Sequence, residues 1–94
     1  MVISGTLFPL GRIVATPGAL EALARVGRDA QFFLQKHASG DWGALDEHDR
    51  AENDYSLAHG FRILSSYRTA AGETLWIITE ADRSSTCLLR PEDY

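Results

Sequence analysis

Ninety-four residues, 45% hydrophobic and 23% charged, suffice for one small globular domain spanning 1–94 and exclude a separate catalytic domain beside a binding domain. A formal charge of −4 disfavours general nucleic-acid binding through the phosphate backbone. One cysteine, Cys87, excludes an internal disulfide and a zinc site built from several thiolates, and no cofactor is expected.

Along the chain, residues 1–10 carry no basic cluster ahead of an apolar run, so no secretory signal is expected. No stretch approaches about 18 apolar residues, and the chain reads as soluble and cytoplasmic, with no membrane partner. Phe8 to Ala15 reads as a short strand or an extended arm, interrupted by Pro9 and Gly11. Thr16-Pro17 supplies a hydroxyl N-cap and a proline at the first helical position, and Gly27 a C-terminal stop. Leu20, Leu23 and Ala24 fall at i, i+3 and i+4, which predicts the apolar stripe of this helix. Asp29 caps a second helix over residues 30–39, with Phe32, Phe33 and Leu34 as core bulk. After Gly40-Asp41-Trp42-Gly43 a third helix runs from about Asp46, its N-cap, to His59, ended by Gly60. Leu45, Ala51, Tyr55 and Ala58 are its expected buried side.

The period then changes. Residues 61–67, 74–79 and 85–90 read as strands, separated by a turn at residues 70–73 and a polar break at residues 80–84. Short connections favour antiparallel pairing. The fold class is therefore α+β: two to three helices followed by a three-stranded antiparallel β-meander, to which Arg12–Ala15 can add an N-terminal strand. Trp76, beside Ile77 and Ile78, reads as core, and Cys87 as a small buried hydrophobe.

Two places can carry function. The first is the joint at residues 40–43 with the acidic helix after it. Six carboxylates (Asp41, Asp46, Glu47, Asp49, Glu52, Asp54) face one arginine, Arg50, in this stretch. Read plainly, this is a solvated helix face. Read as a site, Asp41, Trp42, Asp46, Asp49 and Glu52 form a surface for a basic protein partner or a mimic of nucleic-acid phosphates. Trp42 reads first as a core anchor and, if exposed, as that surface's hot spot. The second place is Thr79 to Thr86. As structure it is a hairpin turn with Asp82 in an Asx-type role. As a site, Glu80, Asp82 and Arg83, with His37, are candidates for acid–base work on a phosphodiester. His37, His48 and His59 lie 11 residues apart, which is no metal-ligand spacing. No phosphate-binding glycine loop, nucleophile elbow or zincin motif occurs.

The chain resembles a widespread family of small bacterial proteins described as plasmid-related. The resemblance rests on His37-Ala38-Ser39-Gly40-Asp41-Trp42-Gly43, then Leu45, Asp46, Asp49, Asn53 and Leu57. It continues through Arg62-Ile63-Leu64-Ser65-Ser66-Tyr67 and Trp76-Ile77-Ile78-Thr79-Glu80-Ala81-Asp82-Arg83-Ser84. It implies a bacterial, cytoplasmic protein associated with mobile elements, and it brings no activity with it. Some relatives carry the label of a restriction methyltransferase subunit, but this chain is too short for that domain and lacks its motifs. The last strands are also similar to those of small barnase-type ribonucleases, although Arg83 stands where a catalytic histidine is expected. Two functions follow as expectations: a non-enzymatic protein-interaction module, or a small barnase-like nuclease using the Glu80–Arg83 loop. A homodimer through an exposed strand edge is a third possibility.

Overall fold

The structure is a computed structural model that describes residues 6–94, so the reading of residues 1–10 as lacking a signal falls partly outside it. Its elements are β1 (Arg12–Ala15), α1 (Pro17–Val26), α2 (Ala30–Ala38), α3 (Glu47–His59), β2 (Ile63–Arg68), β3 (Thr74–Thr79), β4 (Ser85–Leu89) and a 3-10 turn at Pro91–Asp93. The fold is α+β, as expected. Three helices precede an antiparallel β2-β3-β4 meander, and β1 joins it parallel to β4 in the order β1-β4-β3-β2. No helix among the described residues is long and apolar enough to cross a membrane.

Local chemistry sets the helix ends. Thr16, Asp29 and Asp46 each accept a backbone N–H of the first turn, from Ala19, Phe32 and Asp49, and so satisfy donors the helix leaves free. At the other ends Gly27 and Gly60 adopt the left-handed conformation that closes a helix.

One sheet face packs under the helices. The main core joins Ala19 and Leu23 of α1 and Phe33 and Leu34 of α2 to Tyr67, Leu75, Ile77 and Leu88. A second, smaller cluster of Phe8, Trp42 and Ile63 fills the space near α3, with Leu45 and Leu57 at its border.

Several face assignments differ from those read in the sequence. In α1 the buried residues are Gly18, Ala19, Ala22 and Leu23, while Leu20 is 55% exposed and Ala24 is exposed too. Ala19 and Leu23 pack into the core with the sheet residues, Gly18 leaves room for the Arg90 side chain, and Leu20 is left outside. In α3 Ala51 and Ala58 are exposed and Tyr55 is 55% exposed; the buried residues are the polar Asn53 and Ser56. Phe32 lies at the surface under Arg28, whose guanidinium is 4.1 Å from its ring centre. Trp76 and Cys87 are half-buried, on the sheet face away from the helices, where Trp76 meets the edge of Tyr94. Strand alternation explains this, because Leu75, Ile77, Thr86 and Leu88 take the inner face.

The two sheet edges are treated differently. On β2 the Asn53 side chain donates to the Leu64 carbonyl at 2.6 Å and accepts the Leu64 N–H at 3.1 Å, imitating a neighbouring strand. Two residues along, Ser66 donates its N–H to Trp42 O at 3.1 Å and its carbonyl accepts the Ala44 N–H at 2.7 Å. Gly43 makes this approach possible: at φ +76°, a side chain there would overlap the Ser66 carbonyl and the Tyr67 ring. The outward backbone groups of Leu64 and Ser66 on the β2 edge are therefore already paired within the chain.

Asn53→Ala opens that edge and leaves the Leu64 backbone groups without partners. The expected loss is about 2 kcal/mol, read as a lower urea midpoint with an unchanged slope. Glu52→Ala, one residue away on the solvent side, is expected to stay within about 0.5 kcal/mol. Equal effects of the two variants contradict this role for Asn53.

Candidate functional site

His37 projects from α2 into the space between helices and sheet and is fully buried. Its Nδ1 lies 2.5 Å from Ser65 Oγ on β2, and its Nε2 2.8 Å from Thr79 Oγ1 on β3. Thr79 Oγ1 is in turn 2.7 Å from Thr86 Oγ1 on β4, which donates to the Leu10 carbonyl at 2.7 Å. These contacts fix the proton positions. A carbonyl only accepts, so Thr86 gives its proton to Leu10 and accepts from Thr79. Thr79, having donated, accepts from His37, so the ring carries its proton on Nε2 and Nδ1 accepts the Ser65 hydroxyl. Every member is satisfied while the imidazole is neutral. Burial lowers the His37 pKa to about 4, in keeping with that arrangement.

Around this relay lies an aromatic layer. The Phe8 ring meets His37 edge-on at 5.2 Å and stacks near Trp42 at 6.3 Å, and Trp42 lies 6.0 Å from the imidazole. Trp42 is 3% exposed. As a hot spot for a partner it is therefore corrected: the indole fills the core beside His37, its reading as an anchor.

The loop at residues 80–84 approaches the same layer from above. The Arg83 guanidinium sits 5.6 Å from the Phe8 ring centre. It donates to the carbonyls of Phe61 (2.7 Å), Glu80 (3.1 Å), Ala81 (3.0 Å) and Ser56 (3.2 Å). The last of these ties the loop to the C-terminal turn of α3. Arg83 also takes a left-handed backbone conformation, φ 62°, which turns the chain back toward β4. Asp82 forms the expected Asx-type turn, accepting the Ser84 N–H at 2.9 Å; the Ser84 bonds hold its carboxyl below the usual range. Glu80 is exposed and lies 3.8 Å from Arg62.

The structure thus brings His37, Trp42 and Arg83 together around Phe8, but as packing. Of the four residues read as acid–base candidates, His37 and Arg83 are engaged inside the fold. His37 is closed off from solvent and both its nitrogens are occupied, and Arg83 is consumed by backbone carbonyls. Glu80 and Asp82 remain on the surface, whereas His37 is fully buried.

The acidic residues fare differently. Asp41 is exposed, 3.5 Å from Lys36 and accepting the Gly43 N–H at 3.2 Å. Asp46 is engaged as the α3 cap. Glu47, Asp49, Glu52 and Asp54 are exposed, and among the described residues no cation forms an ion pair with them. Arg50, the one cation of the helix, instead reaches back to the carbonyls of Leu45 (2.9 Å) and Gly43 (2.6 Å). At the far end of the helix Tyr55 stacks on His59 at 4.0 Å and on Phe61 at 5.9 Å, with interplanar angles of 18° and 6°. Tyr55 and Phe61 are 55% and 52% exposed, so an aromatic step adjoins the carboxylates. Sequence reading missed this pair, having spent Tyr55 on the buried side. The available signal was the i, i+4 spacing of Tyr55 and His59 with Phe61 directly after the Gly60 stop.

A neutral, buried His37 makes stability pH-dependent. An unfolded-chain histidine protonates near pH 6.5, the folded one only near 4. Between those values the unfolded chain binds more protons, so stability falls as the pH drops from about 6.5 to about 4. The shift corresponds to about 3 kcal/mol, present in full above pH 6.5 and lost below 4. Urea unfolding at pH 7 and pH 4, compared with His37→Gln, is expected to show that difference for the native residue. Imidazole NMR is expected to show Nε2–H down to about pH 5; a ring titrating near 6.5 contradicts the relay.

Comparison with protein-family models, with curated proteins and with solved structures gives no match. Any functional reading therefore rests on the geometry of this chain.

Proposed function

We propose that this domain is a protein-interaction module, bacterial and cytoplasmic as its resemblance implies, that offers α3 to a basic partner. The carrying observation is that the helix is fastened from one side only. Its inner side holds the sheet edge through Asn53, while the carboxylates of Glu47, Asp49, Glu52 and Asp54 lack ion-pair partners among the described residues. A lysine- or arginine-rich segment lying along the helix neutralises this charge, and an arginine reaching Tyr55 or Phe61 gains a cation–π contact. Asp41 and Asp46 contribute less, since one pairs with Lys36 and the other caps the helix. The nuclease reading has less support, because its histidine and its arginine are both engaged inside the fold.

An arginine-rich synthetic peptide, titrated against the full chain by NMR, tests the proposal. Shifts are expected along α3 and at Phe61, weakening as salt is raised. The fourfold variant Glu47→Gln, Asp49→Asn, Glu52→Gln, Asp54→Asn is expected to lose about tenfold or more in affinity, and Tyr55→Ala about threefold or more. Unchanged binding by the fourfold variant, or equal binding of an acidic peptide, refutes it.

A further inference from the structure

Among the described residues the β2 edge is closed and the β1 edge is open, and the chemistry of β1 specifies what fits there. In the parallel pairing with β4, Arg12 donates its N–H to Ser84 O and Thr16 to Leu88 O, each at 3.0 Å. Strand alternation therefore turns the Arg12 and Val14 backbone groups toward β4, and those of Ile13 and Ala15 away from the sheet. Ile13 and Val14 are also 43% and 42% exposed, which is unusual for two adjacent apolar residues of a strand.

We propose that β1 pairs antiparallel with β1 of a second copy of this chain, with the two-fold axis at Val14, making one continuous eight-stranded sheet. In this register Ile13 faces Ala15 of the second copy and Ala15 faces its Ile13. Both are hydrogen-bonding pairs, so four outward backbone groups on each copy find partners. Val14 meets Val14 of the second copy at a close, non-hydrogen-bonded position on the outer face. There it extends an apolar row that runs through Cys87, Ile78 and Leu64. Gly11, whose φ of +64° departs from strand geometry, is not required.

Charge favours a second copy as the occupant. The only charged side chain of β1, Arg12, opposes Thr16 of the second copy and not another arginine, so no like charges face each other across the pair. The acidic α3 lies along β2 at the opposite edge, three strands away, roughly 14 Å by ordinary strand spacing. Two copies of net charge −4 thus meet at the edge opposite the acidic α3.

Sedimentation equilibrium over a concentration series tests the assembly, with a mass of twice 10.4 kDa as the expected limit. Ile13→Pro removes an N–H that has no partner among the described residues, so the fold is retained while the dimer dissociation constant rises about tenfold or more. Val14→Glu, which sets two carboxylates together at the axis, is expected to act likewise, and urea midpoints of both variants verify folding. In a Cys87→Ser background, Val14→Cys is expected to form an intermolecular disulfide, because non-hydrogen-bonded pairs bring Cα atoms to about 4.5 Å. Ile13→Cys is expected to cross-link much more slowly. A mass of one chain at every concentration, a dimer indifferent to both edge variants, or faster cross-linking at position 13 overturns the proposal. A monomer that captures an extended peptide of another protein at this edge overturns it as well.

Discussion

The hydrogen-bond relay through His37 is the constraint on which the remaining structure depends. A polar ring at the centre of a 94-residue domain is costly unless each of its nitrogens is matched. Here three strands each contribute one hydroxyl, from Ser65, Thr79 and Thr86, and the chain ends on the Leu10 carbonyl. Direction comes from that last acceptor, since it fixes the proton of every preceding member. Shifting one strand by a residue turns its hydroxyl to the other face and orphans two groups at once. The relay therefore sets the register of the meander against α2, a task the apolar residues around it perform with less discrimination.

The loops follow from what closes over the relay. Phe8 and Trp42 shield the imidazole, which requires the arm before β1 and the joint at residues 40–43 to lie on the same side. Placing Trp42 there brings Gly43 against β2, and the same joint is held by the Tyr67 hydroxyl, which donates to Asp41 O at 2.6 Å. Arg83 completes the lid from the opposite loop by binding four carbonyls, including that of Ser56 in α3. His37, Trp42, Gly43, Asp46, Asn53, Ser65, Tyr67, Thr79, Asp82 and Arg83 all take part in internal contacts of this kind.

What could be read from the sequence was whatever short-range chemistry decides. Thr16-Pro17, Asp29 and Asp46 mark helix starts because a side-chain oxygen and a free N–H three residues on need no tertiary partner. Gly27 and Gly60 mark ends for an equally local reason. The strand boundaries followed from alternation and from Gly72 and the 80–84 loop. Facing was less legible. In α1 both Leu20 and Leu23 fit an apolar stripe, and only tertiary packing selects Leu23 with Ala19 and Ala22 and sets Gly18 against the Arg90 side chain. Trp76 and Cys87 alternate correctly, but which face is inner depends on where the helices lie. The roles of His37 and Arg83 were hidden because their partners, Ser65, Thr79 and Thr86 or four separate carbonyls, are distant in sequence.

Helix α3 shows how architecture leaves a surface free for function. With only Leu57 as a partly buried large aliphatic residue, the helix gains little from apolar burial. Its attachment is polar and specific: Asp46 at the start, Asn53 to the Leu64 backbone in the middle, and Arg83 to Ser56 near the end. Arg50 binds the preceding loop, so even the helix's own cation serves the fastening. Acidic residues in the first turn, Glu47 and Asp49, favour the positive end of the helix without any contact to the core. Stability thus depends on a few inward groups, and the outward carboxylates and the Tyr55–Phe61 step carry little of it. Substitutions on such a face act within about 0.5 kcal/mol on folding. Charge and aromatic character there are free to be set by a partner, which a helix held by a broad apolar stripe does not allow to the same extent.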